Sequence, residues 1–289
     1  MKSQNGRLLL NTLTGLGNDY CKRIKSCRRH SSEVAVHNLR TCNRRLQALI
    51  ELFRQLTPQR RLDKLRHTIK AQLDVFDELR DTQVMLLEIS DTVAASPELA
   101  PFLLYLQQRE QHLLLQSRAF IKTLSGGKIK RKLKKAERHC KGLYARTDLN
   151  DAVLAVIDNV YAEALERRQA IDPTQLHSIH SFRIAMKKLR YTLAAAQPML
   201  PGIPADQAKR MRDYLTLLGD IQNSAVLCHA LDEFFSTNIP AAIREYFQLQ
   251  QQGLLDAFMA RQDEVLGFWR TERDHGLPWE LGSTEWDIG

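Results

Sequence analysis

A histidine-and-cation pattern occurs twice in this chain, 143 residues apart: His37-Asn38-Leu39-Arg40 with Arg44-Arg45-Leu46, and His180-Ser181-Phe182-Arg183 with Lys187-Lys188-Leu189. Recurrence at half the length of a 289-residue chain points to a duplication. It restricts the fold to two similar units in which the histidines and cations hold corresponding places. At about 100° per residue, His37, Arg40 and Arg44 fall within roughly 60° of one another on a helix. Leu39, Cys42, Leu46, Leu49, Ile50 and Phe53 gather opposite them. His180, Arg183 and Lys187 take the same wheel positions, backed by Phe182, Ala185, Leu189, Leu193 and Ala196. Each motif predicts a helix that is apolar behind and cationic in front.

A third stretch repeats the design without histidine. Lys128, Arg131, Lys134, Lys135, Arg138 and Lys141 share a helical face opposite Ile129, Leu133, Ala136, Cys140 and Leu143. From Arg118 to Lys141 the chain has ten Lys and Arg and one acid, Glu137, so these charges cannot be balanced locally. Like charges one turn apart cost a helix a few tenths of a kcal/mol per pair. Three such faces, two in repeat register, argue for an anionic partner over a merely solvated surface. The net charge of +9 and a pI near 9.4 agree with that sign.

Apolar residues recur at helical spacing elsewhere too, as in Leu9, Leu13, Leu16, Tyr20, Ile24 and Cys27, and no alternating run reads as a strand. The fold is therefore expected to be all-α. Breaks at Thr57-Pro58, Ser96-Pro97, Ser125-Gly126-Gly127, Asp172-Pro173, Pro198–Pro204 and Asn238-Ile239-Pro240 delimit the helices. They predict helices over 7–29, 32–56, 60–91, 98–124 and 128–145, then 148–170, 174–197, 205–236 and 240–272. Short connections imply antiparallel neighbours, hence two four-helix bundles about a pseudo-twofold axis. The boundary near residue 147 separates a first repeat, 1–147, from a second, 148–289, each long enough to bury a core. The tail from His275 to Gly289 is expected to be extended, with Trp269, Trp279 and Trp286 available to pack it down.

Five cysteines form no C-x-x-C pair, which fits reduced core thiols of a cytosolic protein. No apolar stretch approaches the length of a membrane span, and nothing marks export. No phosphate-cradling glycine loop, nucleophile elbow or zinc motif occurs, so neither catalysis nor a cofactor is expected. His177 precedes His180 by one turn, but the surrounding cations oppose a metal ion.

The doubled helix resembles the CHAD domain, the conserved histidine α-helical domain. The first copy runs from Val36 to Leu46 and is followed by Leu79-Arg80-Asp81-Thr82-Gln83-Val84; the second runs from Ile179 to Tyr191 and is followed by Leu218-Gly219-Asp220-Ile221-Gln222-Asn223. The resemblance spans about 5–272 and is to a stand-alone member, with no preceding triphosphate-processing domain. It implies paired helical bundles whose basic groove binds inorganic polyphosphate, in the cytoplasm and on polyphosphate granules. His37, Arg40, Arg44, Arg45, His180, Arg183, Lys187, Lys188 and Arg190 would line that groove by position. The cations of the third helix, Lys128, Arg131, Lys134, Lys135 and Arg138, are expected to join them. Any buried ion pair that Asp81 makes in the first copy is expected to be changed in the second, so the support behind the motif is expected to differ between the copies.

Polyphosphate carries about one negative charge per unit, so its binding should weaken steeply with salt, as nucleic-acid binding does. Protonation of the two histidines would make binding tighter at pH 6 than at pH 8. Two other readings stay open. Histidine phosphotransfer is favoured by a cation three residues after each histidine and opposed by Thr41 and Ile184, where such domains carry glycine. Weak, sequence-independent nucleic-acid binding is open to any basic helical protein.

Overall fold

The apolar stripes become the core of an all-helical structure. The computed structural model describes residues 2–30, 32–145, 148–200, 202–273 and 275–280, and no strand occurs among them. Ten α-helices follow in order: α1 (Lys2–Arg29), α2 (Glu33–Leu56), α3 (Arg60–Asp74), α4 (Asp77–Thr92), α5 (Ala100–Thr123), α6 (Gly126–His139), α7 (Leu149–Gln169), α8 (Leu176–Ala196), α9 (Ala205–Phe235) and α10 (Ala241–Met259). Every stripe residue named above is buried except Leu16, which is half-buried. Burying a Leu- or Ile-sized side chain contributes about 1.5–3 kcal/mol. The stripe of α6 thus outweighs the like-charge repulsion along its outer face.

The two motif helices occupy the centre. α1, α3, α7 and α8 all pack on α2, so α2 and α8 are direct neighbours. Ser32 starts α2 in extended backbone, and its Oγ accepts the Ala35 N–H at 3.2 Å. The apolar residues do not sort by halves. One cluster runs from Leu9 through Phe53 and Phe182 to Leu277, and a second joins Met85, Ile89 and Phe102 to Leu231 and Phe247. Cys27, Cys42 and Cys140 are buried in the first cluster, and no disulfide forms among the described residues.

Three expectations about the elements need correction. The helix expected over 60–91 is two, broken at Val75-Phe76. The Phe76 N–H turns back to the Leu73 carbonyl at 3.0 Å, and the ring is buried edge-on against Phe120. No proline or glycine marks this break, so periodicity alone runs through it. The matching stretch of the second half is the single 31-residue α9.

The helix expected over 240–272 ends at Met259, followed by a 3-10 turn over Gln262–Gly267. The helix expected over 128–145 gives way to a 3-10 turn after His139. Six α-helices lie before residue 147 and four after it among the described residues, against about four in each half as expected.

The start of the tail is packed. Trp269 is fully buried with Trp279 against it at 5.9 Å, and Leu277 is buried. Asp158 of α7 holds the turn: it accepts the Trp269 indole N–H at 2.8 Å and both arms of Arg270, at 3.0 and 2.8 Å. Trp286 and the rest of the tail from residue 281 lie outside the described residues.

Candidate functional site: a cationic groove between the motif helices

A groove of about 660 Å³ opens between α2, α4, α8 and α9. His37, Arg40, Arg44 and Arg45 of α2 line it together with His180, Arg183, Lys187 and Arg190 of α8. The reason is local: the apolar stripes face the core, which leaves the opposite faces of two adjacent helices turned to one channel. Residues 143 positions apart in sequence thereby come together.

The lining contains seven cations against two carboxylates, Asp77 and Asp81, and so has a net positive potential. Arg40 is 8% exposed and is the cation with a carboxylate partner: its Nη2 donates to Asp77 Oδ1 at 2.8 Å and its Nη1 to the Leu73 carbonyl at 3.5 Å. The break between α3 and α4 provides both acceptors. Burial pushes the Arg40 guanidinium below its ordinary value, and Asp77 partly offsets this.

Arg44, Arg45, Arg80, Arg183, Lys187 and Arg190 have no carboxylate within 4 Å among the described residues. Arg183 has its buried Nε without a hydrogen-bond partner. Burial first, and then Arg44, lowers its guanidinium from the ordinary value. The same causes, burial followed by Arg44 and Arg183, push the Lys187 ammonium down to about 7. Asp81 is held above the usual carboxylate value by burial and by Asp77, against the pull of Arg40 and Arg183. The charges of the groove are thus poised against one another.

His180 contributes less freely than its motif position implies. Its Nδ1 donates to the Gln222 amide oxygen of α9, which fixes the ring. His37 is exposed at the groove wall. The Arg190 guanidinium lies over the Tyr191 ring at 5.9 Å, within cation–π range.

Not every candidate residue reaches the groove. Lys188 turns to α7 and pairs with Glu163 at 2.5 Å. Lys128, Arg131, Lys134, Lys135 and Arg138 are exposed on α6, which rests on α1 and α3, and none of them lines the groove. The carboxylate that supports the motif arginine is Asp77, not Asp81. Its counterpart 143 residues on is Asp220, which burial and then Glu88 hold above the usual carboxylate value against the pull of Arg183. Arg80 and Asp77 were absent from the sequence-based set, although the Leu79-Arg80-Asp81 segment pointed to their helix. Among the described residues no cluster of three metal-ligating side chains occurs, and no helix is long and apolar enough to cross a membrane.

Comparison with curated proteins finds no match. In fold the chain is similar to a solved structure, the crystal structure of the CHAD domain from the plant Ricinus communis. The TM-score is 0.60 at 17% sequence identity, covering 93% of this chain and 90% of that chain. The family model for the CHAD domain matches residues 15–232, which contain both motif helices, α4, all but the last turn of α9 and the whole groove lining, and on that match this chain belongs to the CHAD domain family.

Proposed function

We propose that the groove binds inorganic polyphosphate without catalysis. The observation that carries this reading is the convergence of unpaired cations from both halves of the chain on one channel. Arginine forks suit pairs of non-bridging phosphate oxygens, and Lys187 supplies a point charge at the centre. The ligand then provides the counter-charge that the six unpaired cations lack. Asp77 keeps Arg40 in place, and Gln222 orients His180. We further propose that the two halves are duplicated helical bundles about a pseudo-twofold axis. In support, α2 packs on α1 and α3 as α8 packs on α7 and α9. A cytoplasmic place on polyphosphate granules goes with this reading.

The test is a titration with long-chain polyphosphate at near-physiological salt, competed with double-stranded DNA at equal charge. It is repeated with Arg44, Arg183 and Arg190 changed to alanine, which spares Arg40 and its ion pair. Polyphosphate is expected to bind in preference to DNA, with unchanged chain length after incubation. The slope of log K on log salt should be roughly −4 for six phosphate contacts at the single-strand value. An indifferent triple variant, or DNA competing as well as polyphosphate, would reject the groove as a polyphosphate site.

A further inference from the structure

The cations of α6 belong to a different surface. α6 is seated on α1 and α3 by Ile129, Leu133 and Ala136. The approach to α1 is close: a Cβ on Gly17 would meet Leu133 Cδ1 at 2.6 Å, so a larger residue at 17 would require the Leu133 side chain to shift. Where α6 meets α3, Arg60, Lys64, His67 and Lys132 line a shallow depression of about 480 Å³. The carboxylate in that depression, Asp63, is already held by Arg54 at 2.5 Å.

Arg61 is drawn toward the same seam. His139 Nδ1 donates to the Lys135 carbonyl at 2.7 Å, which leaves Nε2 to accept the Arg61 Nη1 hydrogen at 2.5 Å. None of Arg60, Arg61, Lys64, Lys128, Lys132 or Lys135 has a carboxylate within 4 Å among the described residues. On α6, Lys128, Lys132 and Lys135 follow one another at helical turns, about 5–6 Å apart. That spacing suits a linear polymer charged at every unit.

We infer that the α3–α6 seam is a second polyphosphate-binding track, separate from the groove, so that one molecule holds two stretches of polymer and bridges chains. The inference rests on the reading of the groove given above. Two other partners fit the seam less well. α3 and α6 carry no Phe, Tyr or Trp on which bases could stack. Neither helix has a large apolar side chain exposed, as insertion into a lipid surface requires.

The experiment compares three proteins: the wild type, a seam variant with Lys64, Lys128, Lys132 and Lys135 changed to glutamine, and a groove variant with Arg44 and Arg183 changed to alanine. Calorimetric titration with short-chain polyphosphate should show two classes of site in the wild type and one in each variant. With long-chain polyphosphate, losing either surface should weaken binding about 100-fold and abolish the light scattering of bridged complexes. The inference fails if the seam variant keeps both site classes and scatters as the wild type does, or if duplex DNA displaces polyphosphate from the groove variant at equal charge. A groove variant that binds as the wild type does, with all binding lost in the seam variant, refutes the groove reading and leaves a single track. That outcome also ends the bridging proposal, and it is distinguishable from failure of the seam alone.

Discussion

Arg40 and Asp77 meet across the break between α3 and α4, guanidinium Nη2 to carboxylate Oδ1 at 2.8 Å, with the Arg40 side chain 10% exposed and that of Asp77 50% exposed. The contact joins the N-terminal third of the first motif helix to the first residue of α4. It thus fixes one wall of the groove against another.

Asp77→Asn should therefore destabilise the fold. A hydrogen bond to a charged group contributes about 1.5–3 kcal/mol, and solvent at the half-exposed carboxylate reduces this to about 1–2 kcal/mol. Urea unfolding reads the loss directly. An unchanged midpoint would mean that Arg40 is held by the Leu73 carbonyl and by packing alone.

Lys187 should make ligand binding depend on pH. With its ammonium pushed down to about 7 by burial, Arg44 and Arg183, the empty groove holds it largely neutral at pH 8. Arg40 adds to that repulsion and Asp77 opposes it. An anionic ligand favours the charged form, so binding above pH 7 takes up a proton. Affinity should fall about tenfold from pH 6 to pH 8. Lys187→Arg should flatten the profile, and titration in buffers of different ionisation enthalpy should count the proton. A profile unaltered by that substitution would return the dependence to the histidines. In the unligated protein the sign is fixed too. Unfolded chains keep this proton up to the ordinary value of 10.5, so the group makes stability rise with pH between about 7 and 10.5.

Arg44 and Lys187 come from different halves and repel each other in the empty groove. Removing Arg44 lets Lys187 recover its proton, which softens the loss of a ligand contact. Changing both to alanine should weaken polyphosphate binding by more than the product of the two single effects. Affinities of the four proteins at pH 7.5 close the cycle. Simple multiplication of the losses would indicate two independent patches.

Asp158 should anchor the start of the tail. Its side chain and that of Arg270 are 13% and 14% exposed, and Trp269 adds a third donor. Asp158→Ala leaves the Arg270 charge and the indole N–H without this acceptor, at a cost of about 3 kcal/mol or more. Thermal unfolding and limited proteolysis near residues 270–280 should both respond. A melting curve like that of the wild type would show the turn to be held by apolar packing.

The helical faces were legible because period and chemistry coincided. Leu39, Leu46 and Phe53 recur with a helix's spacing and are buried in the core, while His37, Arg40 and Arg44 recur on the other side and line the groove. The α3–α4 break was not legible. It depends on Phe76 finding Phe120 and on Arg40 taking up acceptors that the break exposes, contacts made between distant segments. Lys188 illustrates the same limit at the site. Its wheel position is adjacent to the groove, yet Glu163 on α7 draws it away.

By itself, then, the sequence determined the all-helical class, the buried stripes and the two cationic motif faces, since each depends on a few residues and the turn of one helix. Only the tertiary structure decided that α2 and α8 are neighbours, that Asp77 supports Arg40, that Arg80 enters the groove, and that α6 faces elsewhere. Those outcomes depend on which helices pack together. Packing is set by shape and charge across the whole core, and no local window of sequence contains it.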